Sequence, residues 1–246
     1  MEDLTQRQTD VLKAIIREFT ESGEPVGSDI LEKKYKLGVS PATIRNEMVE
    51  LAKKGYLVKS YFSSGRIPSS RGFRFYINHL MREKELSTSD EVAYKNSIWD
   101  DRADSHRLLS HATHMLAEKT GLLSLAITNK GDVYYAGVSN LMAISEFLNW
   151  ELSRVIFERL DRASFWENIF DRVQKLEDNL HFVLSEDDFS DPVYATCASV
   201  FGEFEGANLH GMIGVVGPKR MYYDSVAPQI KYFSGLIEQI VKDQGM

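Results

Sequence analysis

The chain has one cysteine, Cys197, set in the apolar stretch Ala195-Thr-Cys-Ala-Ser-Val200. A lone thiol excludes an internal disulfide and a cysteine-built zinc site, so Cys197 reads as a small core residue. No apolar run approaches the roughly 18 residues a membrane span needs. The opening Met1-Glu-Asp-Leu-Thr-Gln-Arg7 has neither the basic nor the apolar region of a signal peptide. A cytoplasmic protein with no membrane contact is therefore expected.

Catalytic signatures are also missing. Gly214-Val-Val-Gly-Pro218 lacks the third glycine of a dinucleotide fingerprint and the Lys-Ser/Thr of a phosphate loop, so its glycines are expected to end a core strand. There is no Gly-x-Ser-x-Gly elbow and no kinase signature. His106, His111 and His114 share a helical stretch, but only the last two stand at the i, i+3 spacing of metal ligands, and no carboxylate is positioned beside them. They read as surface histidines, and Glu186, Asp187, Asp188 and Asp191 as a solvated acidic loop. The sequence predicts no catalytic residue, no metal ligand and no cofactor, hence a protein that is not an enzyme.

Charge of positive sign is scarce overall, with a net charge of -7, and what there is lies in one place. Residues 31 to 82 hold 11 Lys or Arg against 3 Asp or Glu, a local +8, whereas residues 83 to 246 hold 15 against 26. One basic module on an acidic chain suits a protein that meets phosphate with a single face.

That block coincides with a helical pattern. Thr5 is a candidate N-cap for a helix whose apolar face is Val11, Leu12, Ile15, Ile16 and Phe19, stopped at Gly23. Ser28 is placed to cap a short second helix through Tyr35. Ser40 and Pro41 open a third, with Ile44, Met48 and Leu51 as its buried stripe and Gly55 as its stop. Tyr56 to Ser60 and Ile67-Pro68 read as the strands of a hairpin with a Ser63-Ser-Gly-Arg66 tip, and Ser69 to Leu80 as a helix leading out. Two short helices, a tight turn and a following hairpin are the pattern of a winged helix-turn-helix.

The predicted fold class is α+β, with a winged helix-turn-helix DNA-binding domain at 1–85, a connecting helical segment at 86–120 and a mixed α/β domain at 121–246. The stripe Leu108, Leu109, Ala112, Met115 and Leu116 could pack on its own domain or on a second copy. Strands are expected at 123–128 and 133–138 around an Asn129-Lys-Gly-Asp132 turn, and at 181–184, 194–200 and 211–216. Helices are expected at 144–162, 164–176 and 226–241.

In the DNA reading, Ala42, Thr43, Arg45, Asn46 and Val49 face outward on the third helix. Arg45 could contact guanine or merely neutralise phosphate, and Asn46 could contact adenine. Thr43 could use its methyl on thymine or its hydroxyl on phosphate. Ser40 could hold a phosphate with the helix N-terminal amides. Arg66 sits by the wing tip, and Lys59, Arg71 and Arg74 could add backbone contacts or be simply solvated. Tyr61 and Phe62 read as packing the wing. A second reading makes the α/β half a sensor, with a small effector in a cavity among Phe147, Trp150, Trp166 and Phe182.

Five segments carry a resemblance: Gly23-Glu-Pro-Val-Gly-Ser28, Leu37 to Met48, Ser64-Gly-Arg-Ile-Pro68 with Gly72-Phe-Arg-Phe-Tyr76, Ala136-Gly-Val-Ser-Asn-Leu141 with Glu146-Phe147, and Gly214 to Tyr223. In these the chain resembles HrcA, the heat-inducible transcription repressor family of bacteria, most closely over its first third. The resemblance implies a winged-helix domain, a GAF-like domain and a dimerisation element. It also implies a homodimer on an inverted-repeat operator called CIRCE, upstream of chaperone genes, and dependence on the GroE chaperonin for the active form. Family members are typically longer. The missing length is placed between Thr128 and Val133, which makes this chain's GAF-like domain a truncated one and leaves helix 105–119 as the candidate dimer contact.

Overall fold

A computed structural model describes residues 4–59, 65–162, 164–166, 180–184 and 196–246. The chain divides into two compact units, residues 1–82 with 220–222, and residues 83–219 with 223–246.

In the first unit α1 (Gln6–Ser22) starts in a capping box. Thr5 Oγ1 accepts from the Gln8 N–H while Gln8 Oε1 accepts from the Thr5 N–H, both at 3.3 Å. It ends at Gly23, whose φ of 72° only glycine adopts cheaply. Helix α2 (Ser28–Lys34) is capped by Gly27, not by Ser28. Ser28 is the first helical residue and is buried, with its hydroxyl turned to α3. Helix α3 (Pro41–Lys53) has the expected Ser40 cap, whose Oγ accepts from the Thr43 N–H at 3.2 Å. Ile44, Met48 and Leu51 are buried where α3 packs on α1 and α2, which bury Val11, Leu12, Ile15 and Leu31.

Strands β1 (Leu57–Lys59) and β2 (Arg66–Pro68) form an antiparallel hairpin, and α4 (Ser70–Phe75) continues into a wider helical turn at Tyr76–Leu80. Ser69 Oγ accepts from the Gly72 N–H and donates to the Gly55 carbonyl at 2.6 Å. A Cβ on Gly72 would stand 2.3 Å from the Tyr56 carbonyl oxygen, so only glycine fits that join. Residues 60–64, with Tyr61, Phe62 and the Ser63-Ser64 tip, lie outside the described residues.

The second unit is built on one antiparallel sheet in the order β4-β3-β7-β6-β5. Its strands are β3 (Leu123–Thr128), β4 (Val133–Ala136), β5 (Leu180–Val183), β6 (Cys197–Glu205) and β7 (His210–Pro218). Register places Leu125, Gly214 and Phe201 side by side on one face, and Ala126, Ile213 and Gly202 on the other. The first face packs on Leu141, Phe147, Ile156, Leu160 and Trp166. These come from α7 (Val138–Met142), a 3-10 turn (Ser145–Leu148), α8 (Trp150–Leu160) and the residues just after it. The second face carries α6 (Ser105–Thr120) and α9 (Tyr223–Asp243). Gly202 lets α9 approach, since a Cβ there would be 2.6 Å from Ser234 Oγ.

Three expectations are corrected. The polar stretch after Glu83 contains a helix, α5 (Thr88–Trp99), with only Tyr94 and Ile98 buried, too few apolar contacts to leave a periodic signature. The helix expected at 144–162 is broken by the 3-10 turn and by the Asn149 cap of α8. Strand β6 runs on to Glu205, because it pairs with β7 along its whole length. Of the two packings open to the stripe of α6, the structure has the one inside its own unit: Leu108, Leu109, Ala112 and Leu116 are wholly buried and Met115 is half-buried. The acidic loop at 185–192 and most of the helix expected at 164–176 fall outside the described residues.

Two polar contacts hold this unit's helix ends. Asn140 donates to the carbonyls of Ala117 and Leu122 at 3.1 and 3.2 Å, tying α7 to the end of α6. Pro228 inside α9 cannot donate to the Asp224 carbonyl, and the Lys84 N–H takes that acceptor at 2.8 Å.

Candidate nucleic-acid interface

Helix α3 has two chemically distinct sides. Its buried stripe is Ile44, Met48 and Leu51, and on the opposite side Ala42, Arg45, Asn46, Val49 and Lys53 are exposed. Spacings of three and four residues align these five along one face. The helix is held laterally by Glu47, which accepts from Gln8 Nε2 at 3.2 Å and pairs with Arg7 at 3.4 Å. Lys53 is neutralised by Glu50 at 2.7 Å, and Lys54 donates to Gln8 Oε1 at 3.1 Å. Arg45 and Asn46 are the polar side chains of the exposed face that no carboxylate claims among the described residues.

Arg45 Nη2 reaches Ser28 Oγ at 3.4 Å, a long contact that sets the direction of the side chain and leaves most of its donors outward. Ser28 was not among the residues singled out from sequence. It lies 17 positions from Arg45, and no local spacing encodes the pairing. Thr43 is half-buried, and its hydroxyl is 3.0 Å from that of Ser40, so its methyl is what remains for a base. Asn46 makes no hydrogen bond through its amide among the described residues.

The hairpin adds cations of unequal availability. Lys59 is exposed and stands directly opposite Arg66 in the register, two like charges at the end that leads to the tip. Arg66 is half-buried and not itself at the tip, for its backbone is bridged to Val26 by two hydrogen bonds of 2.9 Å. Gly65 must be glycine there, because a Cβ would meet Pro25 at 2.9 Å. The sequence segments around Pro25 and Arg66 are thus one structural device that fixes the hairpin beside α1. Arg71 is exposed with its guanidinium 4.6 Å from the centre of the Tyr56 ring, and Arg74 is half-buried.

Lower in the unit, buried Glu18 accepts from Lys34 Nζ at 2.7 Å and from the Tyr35 hydroxyl at 3.1 Å, pinning α2 to α1. Burial, followed by the Glu18 carboxylate, pushes the Tyr35 phenol well above its ordinary value.

The expected effector cavity is not formed by its four aromatics. Phe147 and Trp166 are buried on one face of the sheet. Phe182 packs on the other, 6.1 Å from Tyr223 of α9, and Trp150 is 71% exposed. Alternation along β5 turns Phe182 to the face opposite the one that Phe147 and Trp166 cover, so these rings enclose nothing together.

Residues 62–227 match the family model for the HrcA protein C terminal domain. The heat-inducible transcription repressor HrcA of Clostridioides difficile (strain 630) is 30% identical over 183 residues, covering 72% of this chain and 54% of that protein. Its counterpart in Pelotomaculum thermopropionicum is 39% identical over 125 residues, covering 51% and 36%. The chain therefore spans about half or less of the curated relatives it matches. A crystal structure titled as that of a hypothetical protein shares the fold, with a TM-score of 0.81 at 19% identity over 98% of this chain and all of that one. The class these matches define is that of proteins named as transcription repressors, not enzymes. Within it, this chain belongs to the HrcA family.

No helix among the described residues is long and apolar enough to cross a membrane.

Proposed function

We propose that this chain is a cytoplasmic, sequence-specific DNA-binding repressor of chaperone genes that binds a CIRCE-type inverted repeat as a homodimer. Its N-terminal region, 1–85, which takes in the helices and hairpin of the first unit, acts as a winged helix-turn-helix, and its α/β unit is a truncated GAF-like domain. The observation that carries the reading is the face of α3, where Arg45 and Asn46 stand exposed while the opposite stripe is locked in the core.

With α3 in the major groove, Arg45 donates to guanine O6 and N7 and Asn46 pairs with adenine. Ala42 and the Thr43 methyl border thymine. Ser40 and the first amides of α3 hold a phosphate, and Lys59, Arg66, Arg71 and Arg74 neutralise the backbone beside it. Family resemblance brings GroE as the partner that maintains the active form. The sensor reading is set aside because the aromatics it needed lie on different faces of the sheet.

Fluorescence anisotropy with a CIRCE-type repeat, one half-site and a scrambled duplex tests the proposal. Tight binding to the full repeat alone is expected, weakening roughly 1,000- to 100,000-fold from 50 to 200 mM salt for six to ten phosphate contacts. Equal binding to all three duplexes overturns it.

A further inference from the structure

The C-terminal end of a helix favours a cation, yet the last turn of α1 holds Glu21 and no basic residue. In a regular helix the Thr20 carbonyl would accept from the Glu24 N–H, but that donor turns to Ser22 Oγ at 3.1 Å. The cation comes from 200 positions along the chain, where Arg220 Nη1 donates to the Thr20 carbonyl at 3.3 Å. The same guanidinium lies along Gly23, for a Cβ there would stand 3.1 Å from Arg220 Nε and 3.3 Å from its Cζ.

Arg220, Met221 and Tyr222 belong to the first unit, yet they lie in the connection between β7 and α9 of the second. That connection is anchored at both ends. The Lys219 N–H donates to the Thr196 carbonyl at 3.3 Å, and the Tyr223 hydroxyl donates to the Lys219 carbonyl at 2.8 Å. Lys84, at the start of the second unit, pairs with Asp224 in the first turn of α9 at 3.1 Å. The position of Arg220 is thus set by β7 and by the first turn of α9.

Gly23, against which Arg220 lies, opens the turn Gly23–Ser28, and the rest of that turn meets the parts of the first unit assigned to DNA. Pro25 lies against Gly65, and Val26 exchanges two backbone hydrogen bonds of 2.9 Å with Arg66 of the hairpin. Ser28 accepts from Arg45 Nη2 at 3.4 Å. One turn therefore touches Arg220 at its first residue, the hairpin in its middle and the outward arginine of α3 at its last.

We propose that Arg220 is a positioning residue for DNA recognition. It fixes the end of α1 and the Gly23–Ser28 turn, and through that turn it holds the hairpin and directs Arg45 towards the base it reads. The β7–α9 connection of the α/β unit thereby sets how well the DNA-binding face is formed. The effect on DNA rests on the proposed repressor reading, whereas the hold on the turn does not.

The full chain carrying Arg220→Ala, Arg45→Ala or both tests this, on matched and scrambled half-sites and by hydrogen exchange without DNA. Arg220→Ala is expected to weaken the matched half-site about tenfold, to affect the scrambled one far less, and to lose most of that effect in the Arg45→Ala background. The Val26 and Arg66 amides should exchange faster in Arg220→Ala than in wild type. Equal loss on both duplexes with a salt slope lower by about 1 makes Arg220 a phosphate contact and overturns the proposal. Equal loss in both Arg45 backgrounds, or unchanged exchange at Val26 and Arg66, overturns it as well. If Arg220→Ala fails to fold, Arg220→Lys decides by the same readouts with a smaller loss expected, since it keeps the charge and lacks the guanidinium fork. A wild type that binds no duplex overturns the repressor reading, and hydrogen exchange alone then decides whether Arg220 holds the turn.

Discussion

The two units of this chain use their polar side chains in opposite ways. In the second they are turned inward as structural ties: Ser124 donates to the Gly214 carbonyl at 3.1 Å, Ser153 to that of Phe147 at 2.5 Å, and Asn140 closes two helix-end carbonyls. In the first, the most exposed helix face carries Arg45 and Asn46 outward while its own ties, Glu18 and Glu47, are kept behind it. Buried polar groups must be satisfied within the fold, and exposed ones on a rigid helix are free to be satisfied by a ligand. Structural and binding duties therefore fall on different residues, and substitutions can separate them.

The largest expected effect is on stability without recognition. Phe201 is wholly buried, 5.9 Å from the Trp166 ring and covering Gly214, whose hydrogen in place of a Cβ makes room for it. Phe201→Ala should cost about 3–5 kcal/mol in denaturant unfolding and leave the half-site affinity of the folded protein unchanged. A matching loss of affinity breaks the division of labour.

Recognition without stability is the converse. Arg45→Ala should lose about 1–3 kcal/mol of discrimination at one base pair per half-site, with unfolding free energy within about 0.5 kcal/mol of wild type. Lys59→Ala should weaken matched and scrambled duplexes alike and reduce the salt slope by about 1. Identical behaviour of the two variants on both duplexes removes Arg45 from base readout.

The same contrast governs what could be read in the sequence. The first unit is specified by local signals that coincide with its geometry: the Thr5 and Ser40 caps, the left-handed Gly23 and Gly55, and the stripe Ile44, Met48, Leu51. Its helix and strand bounds were legible nearly to the residue. What escaped was long-range, namely the Ser28 contact to Arg45 and the Val26 bridge that withdraws Arg66 from the hairpin tip. In the second unit the strands and the long helices α6 and α9 were legible, but α5, α7 and the break before α8 were not. Helix α5 is held by Tyr94 stacked 5.1 Å from Phe233, a partner far along the chain, and polar composition hid it. The aromatic cavity failed for a related reason: residue type alone does not say which face of a sheet a ring occupies.

Ser40 joins both duties in one atom, so it sharpens the comparison at smaller scale. Ser40→Ala should cost about 1 kcal/mol of stability through loss of the cap, and also weaken DNA binding. Ser40→Asp retains a capping oxygen and should recover the stability, yet its charge repels phosphate and should weaken binding further. Parallel recovery of both properties in Ser40→Asp places the phosphate elsewhere.

The smallest effect expected is a pH dependence confined to the first unit. The Tyr35 phenol donates to Glu18, and burial with that carboxylate raises its pKa above the ordinary 10.0. A raised folded-state pKa means the unfolded chain loses this proton first. The contact therefore contributes fully below pH 10 and is lost as pH climbs from there through the raised folded value. Wild type should lose stability across that alkaline window more steeply than Tyr35→Phe, which has no phenol to titrate, and denaturant midpoints of the two proteins followed upward from pH 9 give the difference directly. Curves that stay parallel mean the Tyr35 hydroxyl does not stabilise α2 on α1, and leave that task to Lys34 and its ion pair with Glu18.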